Sequence, residues 1–419
     1  MTRRALLHLF AAALSFCFAS ALSRASDHAS VETSTPPPLL LISLDAFRWD
    51  YCDLHPDETP HLRALMRTGI SARGLVPVFP SNTFANHYTI VTGLYPSHHG
   101  IINNNFFDPT FREFFRPFPT KTLQESRWWS GEPVWVTAVK QGRKSATSFW
   151  IGSEAEIAGH RPSDWIAFDP RKQPTFDERL DQLFSWLHRP AKTRPAFVTF
   201  YFEETNSIGH KFGPGSPELI ATIRRLDEQL GRIVARLKSE RIAANIVIVS
   251  DHGLTPISTE RVILLDDYIA PDSVQLDFDG PVAGLRPHDG DIEKLVAALA
   301  PLQHARAYRR EDLPARFHVT DNPRNPPVWI VPDEGWEIYF RANFDRFRHT
   351  FNKGDHGYDP AFPSMHGILI ANGPAFKADG GAIDRVENVH VYNLLCAALG
   401  LMPAPNDGDD RLVRAMLRP

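Results

Sequence analysis

Five short segments carry side chains able to hold a cation or to attack an ester. ISLDAFRWDY ends an apolar run on Asp45, and FPSNTFANHYTIVTGLYPSHHGIINNNFFDP carries the Thr83 hydroxyl and three asparagines, Asn103 to Asn105. YFEETNSIGHKFGP carries Asn206 and His210, VSDHG carries Asp251 and His252, and GYDPAFPSMHG carries His366. Singly each is a weak signal. An Asp at a strand end is usually a turn or a helix cap, and a lone His after a strand is more often structural than a ligand. Together Asp45, Asp251, His252, His210 and His366 offer enough nitrogen and oxygen for two borderline-soft cations such as Zn2+.

The surrounding elements explain how such residues meet. Residues 39–44 (LLLISL) form a continuous apolar run ending at Asp45, 196–202 (AFVTFYF) ends at Glu203-Glu204, and 246–250 (IVIVS) ends at Asp251. A fourth run, 367–371 (GILIA), follows His366. Short, unbroken apolar runs fit strands buried on both faces, as in a parallel sheet. Between them lie helical patterns. Ser216-Pro217 reads as an N-cap with Pro at the first helical position. Leu219, Ile223, Leu226, Leu230, Ile233 and Leu237 then recur at the spacing of an amphipathic helix. Residues 55–69 predict another helix, and ANHYTIVTGL after Thr83 a third, whose N-terminus would favour negative charge. The pattern is α/β and doubly wound, with helices sandwiching a mostly parallel sheet. The site is expected at the carboxyl ends of the strands, where Asp45, Asn206 to His210 and Asp251-His252 fall. Residues 256–350 are irregular and proline-dense, and read as an inserted capping region.

Composition narrows the classes. The chain has 419 residues, 43% hydrophobic and 22% charged, enough for a large core. Its 45 basic and 49 acidic residues leave no basic excess for a nucleic-acid backbone, and three cysteines make no disulfide scaffold. The N-terminus has Arg3 and Arg4, an apolar stretch to Phe18 and a small-residue site at Ala19-Ser20-Ala21. It reads as a secretory signal over 1–21, followed by a flexible leader over 22–38. A catalytic domain is expected over 39–405 and a tail over 406–419. Cleavage would leave 43 basic against 49 acidic residues, with Cys52 and Cys396 open to pairing in an oxidising compartment. Export to a periplasm or to the medium is expected, with no stable membrane span.

The sequence resembles the ectonucleotide pyrophosphatase/phosphodiesterase family of the alkaline phosphatase superfamily, in its bacterial secreted type. The block around Thr83 and the SMH block are its most specific parts, and the match runs from about residue 38 to about 400. The resemblance implies an alkaline-phosphatase-like fold and a two-zinc phosphoryl-transfer site. One zinc would be held by Asp45, Asp251 and His252 with the Thr83 hydroxyl, the other by Asn206, His210 and His366. A threonine hydroxyl is a poor nucleophile at neutral pH, and metal coordination favours its alkoxide. Asn104 matches the family asparagine that hydrogen-bonds a phosphate oxygen, with Asn103 and Asn105 as one-residue alternatives. Phe84 and Tyr201 match aromatic positions that sandwich a nucleobase, with Phe168 as a third wall. The implied reaction is hydrolysis of a nucleotide phosphodiester or pyrophosphate through a phospho-threonine, releasing a nucleoside 5′-monophosphate. The expected partner is a small nucleotide or phosphodiester, not long nucleic acid.

Two features depart from that pattern or leave it open. The family has Asp-x-x-x-His where this chain has Asn206-Ser-Ile-Gly-His210. An amide oxygen is neutral, so weaker occupancy of the second zinc is expected, with Glu203 or Glu204 as candidates to restore the charge. Asp-His-Gly also occurs twice, at 251–253 and 355–357. Only the first follows a buried apolar run, so His356 is expected as a loop or supporting residue. A Lys-x-Arg pair suited to a phosphate dianion occurs only as Lys192-Thr193-Arg194, expected at the far end of a strand, which favours diesters over monoesters. Two alternative readings remain: a phosphodiesterase acting on lipid or other alcohol headgroups, and a metal-poor secreted binding protein.

Overall fold

The computed structural model describes residues 36–118, 120–169 and 171–419. The expected signal, most of the leader and Cys17 lie outside these residues. A nine-stranded sheet organises the rest. Its central members are Asn245–Val249, Leu39–Leu44 and Phe197–Phe202, all parallel and closely in register: Leu39 faces Phe197 and Asn245, and Ser43 faces Tyr201 and Val249. Ser145–Ser148 and Asp164–Ile166 extend the sheet on one side. On the other side, Gly367–Asn372 runs antiparallel to Asn245–Val249 and to Ile70–Val76, so the sheet is mixed at that edge.

The unbroken apolar runs have a simple cause. Leu39 and Leu41 enter one core, with Val247 and Val249. Leu40, Ile42 and Leu44 enter the other, with Ile246 and Ile248. Side chains alternate across a strand, and both faces are covered, so apolar residues dominate and a polar one such as Ser43 takes a buried hydrogen-bond partner. The helix Pro217–Ser239 covers one face with its Leu219–Leu237 stripe, and the Ser216 hydroxyl accepts the Leu219 N–H at 3.2 Å to cap it. Helices Val134–Lys140 and Val391–Leu399 pack on the opposite face.

Several expectations change. The helix expected over 55–69 begins only at Pro60 and ends at Thr68, because Pro60 fixes the first helical turn and Pro56 lies in the loop before it. The expected irregular region contains a four-stranded antiparallel sheet of Val274–Phe278, Ala283–Pro287, Val328–Pro332 and Ala305–Arg309. It has its own core around Leu285, Leu299 and Ile330. Within the expected tail, helix Arg411–Met416 buries Leu412 and Met416, a two-residue apolar stripe too short to register in sequence. Cys52 and Cys396 are both free and buried, and they sit in cores on opposite faces of the sheet. No helix among the described residues is long and apolar enough to cross a membrane.

Candidate functional site

The register of the three central strands brings their carboxyl ends to one edge, and the first candidate group sits there. Asp45 follows Leu39–Leu44, and Asp251 and His252 follow Asn245–Val249. All three are buried, and their ligand atoms lie within 4.8 Å of one another. His252 Nε2 is 3.0 Å from Asp251 Oδ2 and 3.5 Å from Asp45 Oδ1. Thr83 Oγ1 lies 3.1 Å from the same nitrogen. Thr83 opens the helix Thr83–Thr92, so its hydroxyl sits at a helix N-terminus.

The electrostatics of this group call for a cation. Burial pushes the Asp45 carboxyl up to about 7, and the neighbouring Asp251 charge adds to the effect. Burial also opposes charge on Asp251, but His252 and His87 outweigh it and hold that carboxyl well below the ordinary range. Burial works against a charged His252, yet Asp251 and Asp45 lift it to about 9. Asp45 Oδ1 is buried without a hydrogen-bond partner. Two buried carboxylates and a hydroxyl converging on one imidazole nitrogen are costly unless positive charge stands between them.

Imidazole orientation separates the histidines. His252 Nδ1 faces the Gly253 carbonyl at 2.8 Å, His210 Nδ1 faces the Gly354 carbonyl at 2.9 Å, and His356 Nδ1 faces the Ser81 carbonyl at 2.9 Å. A backbone carbonyl on Nδ1 takes the ring proton and leaves Nε2 as a lone-pair donor, the arrangement of a metal-ligating histidine. The His252 and His356 rings stack with centroids 3.5 Å apart, so the two candidate groups adjoin. His210, Asp355 and His356 form the second group, their ligand atoms also within 4.8 Å of one another. Asn206 lies one turn before His210 on helix Glu204–Phe212, on the same face, and its Oδ1 is buried without a partner.

The structure places His366 apart from both groups. Its Nε2 faces the Pro360 carbonyl at 2.9 Å, and its Nδ1, without a partner, lies beside Gly74 on the neighbouring strand. It joins neither group. His356, read from sequence as a supporting residue, stands there instead. Gly354–Asp355 pairs antiparallel with Thr255–Pro256, the segment that leaves Asp251-His252-Gly253, and this short ladder carries His356 to the site. Gly253 is required by close approach, since a Cβ there would meet the Ser364 carbonyl at 2.0 Å. The two glutamates join neither group. Glu203 accepts the Ser207 hydroxyl, and burial raises the Glu204 carboxyl, with Arg179 the strongest opposing charge.

The asparagines divide by role. Asn103 is internal: its Oδ1 accepts from Asn82 Nδ2 at 2.8 Å and from the Asn104 N–H at 2.6 Å. Asn104 Oδ1 accepts the Phe84 N–H at 2.8 Å, which fixes its amide so that Nδ2 is the group left over. Asn104 lines a cavity of about 400 Å³ together with His210, Asp355 and His356. Phe84 is half-buried and packs edge-on against Phe115, with centroids 6.0 Å apart. Tyr201 donates its hydroxyl to Asp45 Oδ2, so this ring braces a candidate ligand. Phe168 packs edge-on against Tyr201 at 6.0 Å. Lys192 and Arg194 precede the strand Phe197–Phe202 and so lie at the end away from this edge.

Two residues were not singled out from the sequence. His87, one turn after Thr83, is buried with Nε2 2.8 Å from the Ser43 hydroxyl and Nδ1 3.0 Å from the Thr83 carbonyl. Asp355 precedes His356. The second Asp-His-Gly was the available signal for both His356 and Asp355, and the lack of an apolar run before it hid them.

Comparison with known proteins places these residues in context. A family model described as type I phosphodiesterase / nucleotide pyrophosphatase matches residues 39–359. A venom phosphodiesterase of Macrovipera lebetinus is 38% identical over 394 residues, covering 91% of this chain and 45% of the relative. An uncharacterized pyrophosphatase/phosphodiesterase of Schizosaccharomyces pombe is 37% identical, covering 88% of this chain and 78% of the relative. The chain thus spans about half the length of the venom enzymes and most of the yeast protein. Among solved structures, murine ectonucleotide pyrophosphatase / phosphodiesterase 5 superposes with a TM-score of 0.84 at 33% identity, covering 91% of this chain and all of the other. An inactive threonine-to-alanine form of that murine protein, in complex with AMP, superposes with the same TM-score at 32% identity and the same coverage.

Proposed function

The chain belongs to the type I phosphodiesterase / nucleotide pyrophosphatase family, and from that premise we propose that it hydrolyses nucleotide phosphodiester or pyrophosphate bonds with Thr83 as nucleophile. The observation that carries this reading is the Thr83 hydroxyl, 3.1 Å from His252 Nε2 and beside the buried carboxylates of Asp45 and Asp251. The donor set fits two divalent cations, with zinc favoured by its nitrogen and oxygen composition. Asp45, Asp251, His252 and Thr83 would hold one, and Asn206, His210 and His356 the other. Bound cations would supply Lewis-acid stabilisation of phosphoryl charge and would favour the Thr83 alkoxide.

The residues themselves then have separable tasks. Thr83 Oγ1, giving up its proton, which passes to the leaving oxygen or to water, forms a bond to phosphorus as the bond to the leaving alcohol or phosphate breaks, giving a phospho-threonine that still carries the nucleoside. Water then attacks that phosphorus, releasing a nucleoside 5′-monophosphate and restoring the hydroxyl. Asn104 Nδ2, oriented by the Phe84 N–H on its Oδ1, would donate to an equatorial phosphate oxygen, whose charge grows in the transition state. In-line displacement puts the leaving oxygen opposite Thr83, toward His210 and His356, where the cavity of about 400 Å³ opens. Phe84 and Phe168 offer faces for a nucleobase, while Tyr201 steadies Asp45. The AMP held by the murine relative is consistent with a nucleotide ligand. Relatives named as venom enzymes and ectoenzymes support an exported location.

The test is turnover of p-nitrophenyl-TMP against p-nitrophenyl phosphate, with and without added zinc, for the wild type and Thr83→Ala. Zinc-dependent diesterase activity well above monoesterase activity, abolished in Thr83→Ala, is expected. Activity that survives Thr83→Ala would overturn the mechanism.

A further inference from the structure

We propose that Asp355 supplies the second cation site with the carboxylate charge that Asn206 does not. This rests on the two-cation reading above and concerns how this chain sustains it. An aspartate at 206 would place a negative charge one helical turn from His210, and Asn206 offers only a neutral amide oxygen. With His210 and His356 both neutral donors, a cation there would face no formal negative charge from those three residues. A dication partly withdrawn from water needs such charge nearby.

Asp355 is placed to provide it. One of its carboxylate oxygens lies within 4.8 Å of a ring nitrogen of both His210 and His356. Its Oδ1 is 3.7 Å from His210 Nδ1 and accepts the His356 N–H at 2.8 Å, so the carboxylate is tied to the backbone of one candidate ligand and beside the ring of another. Asp355 also lines the cavity that both histidines line. The ladder of Gly354–Asp355 with Thr255–Pro256 holds its backbone against the segment leaving His252.

The other nearby carboxylates are not grouped with these histidines: Asp277 and Asp279 line the cavity but pair with Arg286 and Asn343. Glu203 accepts from Ser207. Glu204 lies in neither group; its Oε2 is buried without a partner, and Arg179 is the strongest charge opposing its burial. Glu337, buried behind Asp355, accepts the hydroxyls of Tyr339 and Tyr358 and does not line the cavity. Among the described residues, Asp355 is the one carboxylate grouped with His210 and His356. The negative charge has therefore moved from the helix to the loop that delivers His356.

A double-mutant cycle read by metal binding tests this. Zinc affinity and stoichiometry are measured by calorimetry, with a competing chelator, on the metal-stripped full chain. The proteins are the wild type, Asp355→Asn, Asn206→Asp and the double variant. The wild type is expected to bind two zinc ions, and Asp355→Asn to weaken one of them by roughly tenfold or more. Adding Asn206→Asp to that variant should restore most of the loss, whereas Asn206→Asp alone should change affinity far less. The double variant keeps the net charge of the site, so it remains informative if Asp355→Asn folds poorly; its failure to bind a second zinc would overturn the proposal. So would unchanged binding by Asp355→Asn, or an equal loss in both backgrounds, which would mark a structural role. A wild type that binds fewer than two ions would instead bring down the two-cation reading itself.

Discussion

His87 Nδ1 lies 3.2 Å from Asp251 Oδ2, with both side chains buried. The same nitrogen is 3.0 Å from the Thr83 carbonyl, and Nε2 is 2.8 Å from the Ser43 hydroxyl. One ring thereby couples the helix that opens on Thr83, a central strand and a candidate metal ligand. Replacing it should loosen the site without removing a ligand. His87→Asn is expected to lower affinity for the cation at Asp45, Asp251 and His252 by about 10- to 100-fold. Zinc titration of the stripped protein checks this, and turnover at saturating zinc should recover part of the lost rate.

The position of Asn104 predicts a kinetic signature. Its amide is already oriented by the Phe84 N–H, so its contribution should appear mainly in the transition state. Asn104→Ala is expected to lower kcat by about 10² to 10³, the typical effect of losing one oxyanion donor, with a much smaller change in KM. Asn103→Ala should instead lower thermal stability, since Asn103 holds Asn82 and the Asn104 backbone. Steady-state kinetics and thermal melts on both variants separate the two roles.

His356 and His366 are predicted to exchange the roles that sequence suggested. His356→Ala should reduce bound zinc from two ions to about one per chain, because it removes a ligand nitrogen. His366→Ala should keep two, because its ring faces the Pro360 carbonyl. Metal content measured on dialysed protein decides between them.

Metal removal should make stability pH-dependent. In the metal-free site the Asp45 carboxyl is pushed up to about 7 by burial and the Asp251 charge. His252 stands at about 9 because Asp251 and Asp45 outweigh its burial. Both folded values exceed the unfolded ones. The stabilisation each group provides is therefore complete below its unfolded value and is lost as pH rises through the folded value. Chelator-treated protein should lose melting temperature steadily from about pH 5 to pH 9. Saturating zinc should flatten that slope, as scanning calorimetry at fixed ionic strength would record.

Much of the fold followed from local pattern. The runs ending at Asp45, Glu203 and Ser250 read as doubly buried strands because both sheet faces are covered, and Ser216-Pro217 announced the long helix because its cap is local in sequence. The convergence of Asp45, Asp251 and His252 was legible for the same reason, since each lies just past the carboxyl end of a strand. The helix at 55–69 was overextended because apolar spacing says nothing of which proline begins it.

The sequence by itself therefore determined the sheet, the edge at which Asp45, Asp251 and His252 gather and the helix that opens on Thr83. Tertiary structure alone decided the membership of the second group. His366 precedes an antiparallel strand, and its ring turns toward Gly74, whereas His356 and Asp355 arrive on a two-residue ladder with Thr255–Pro256. Such a ladder buries almost no apolar pattern, and the residues it joins are a hundred positions apart. Only the folded chain reveals which histidine turns its free nitrogen inward.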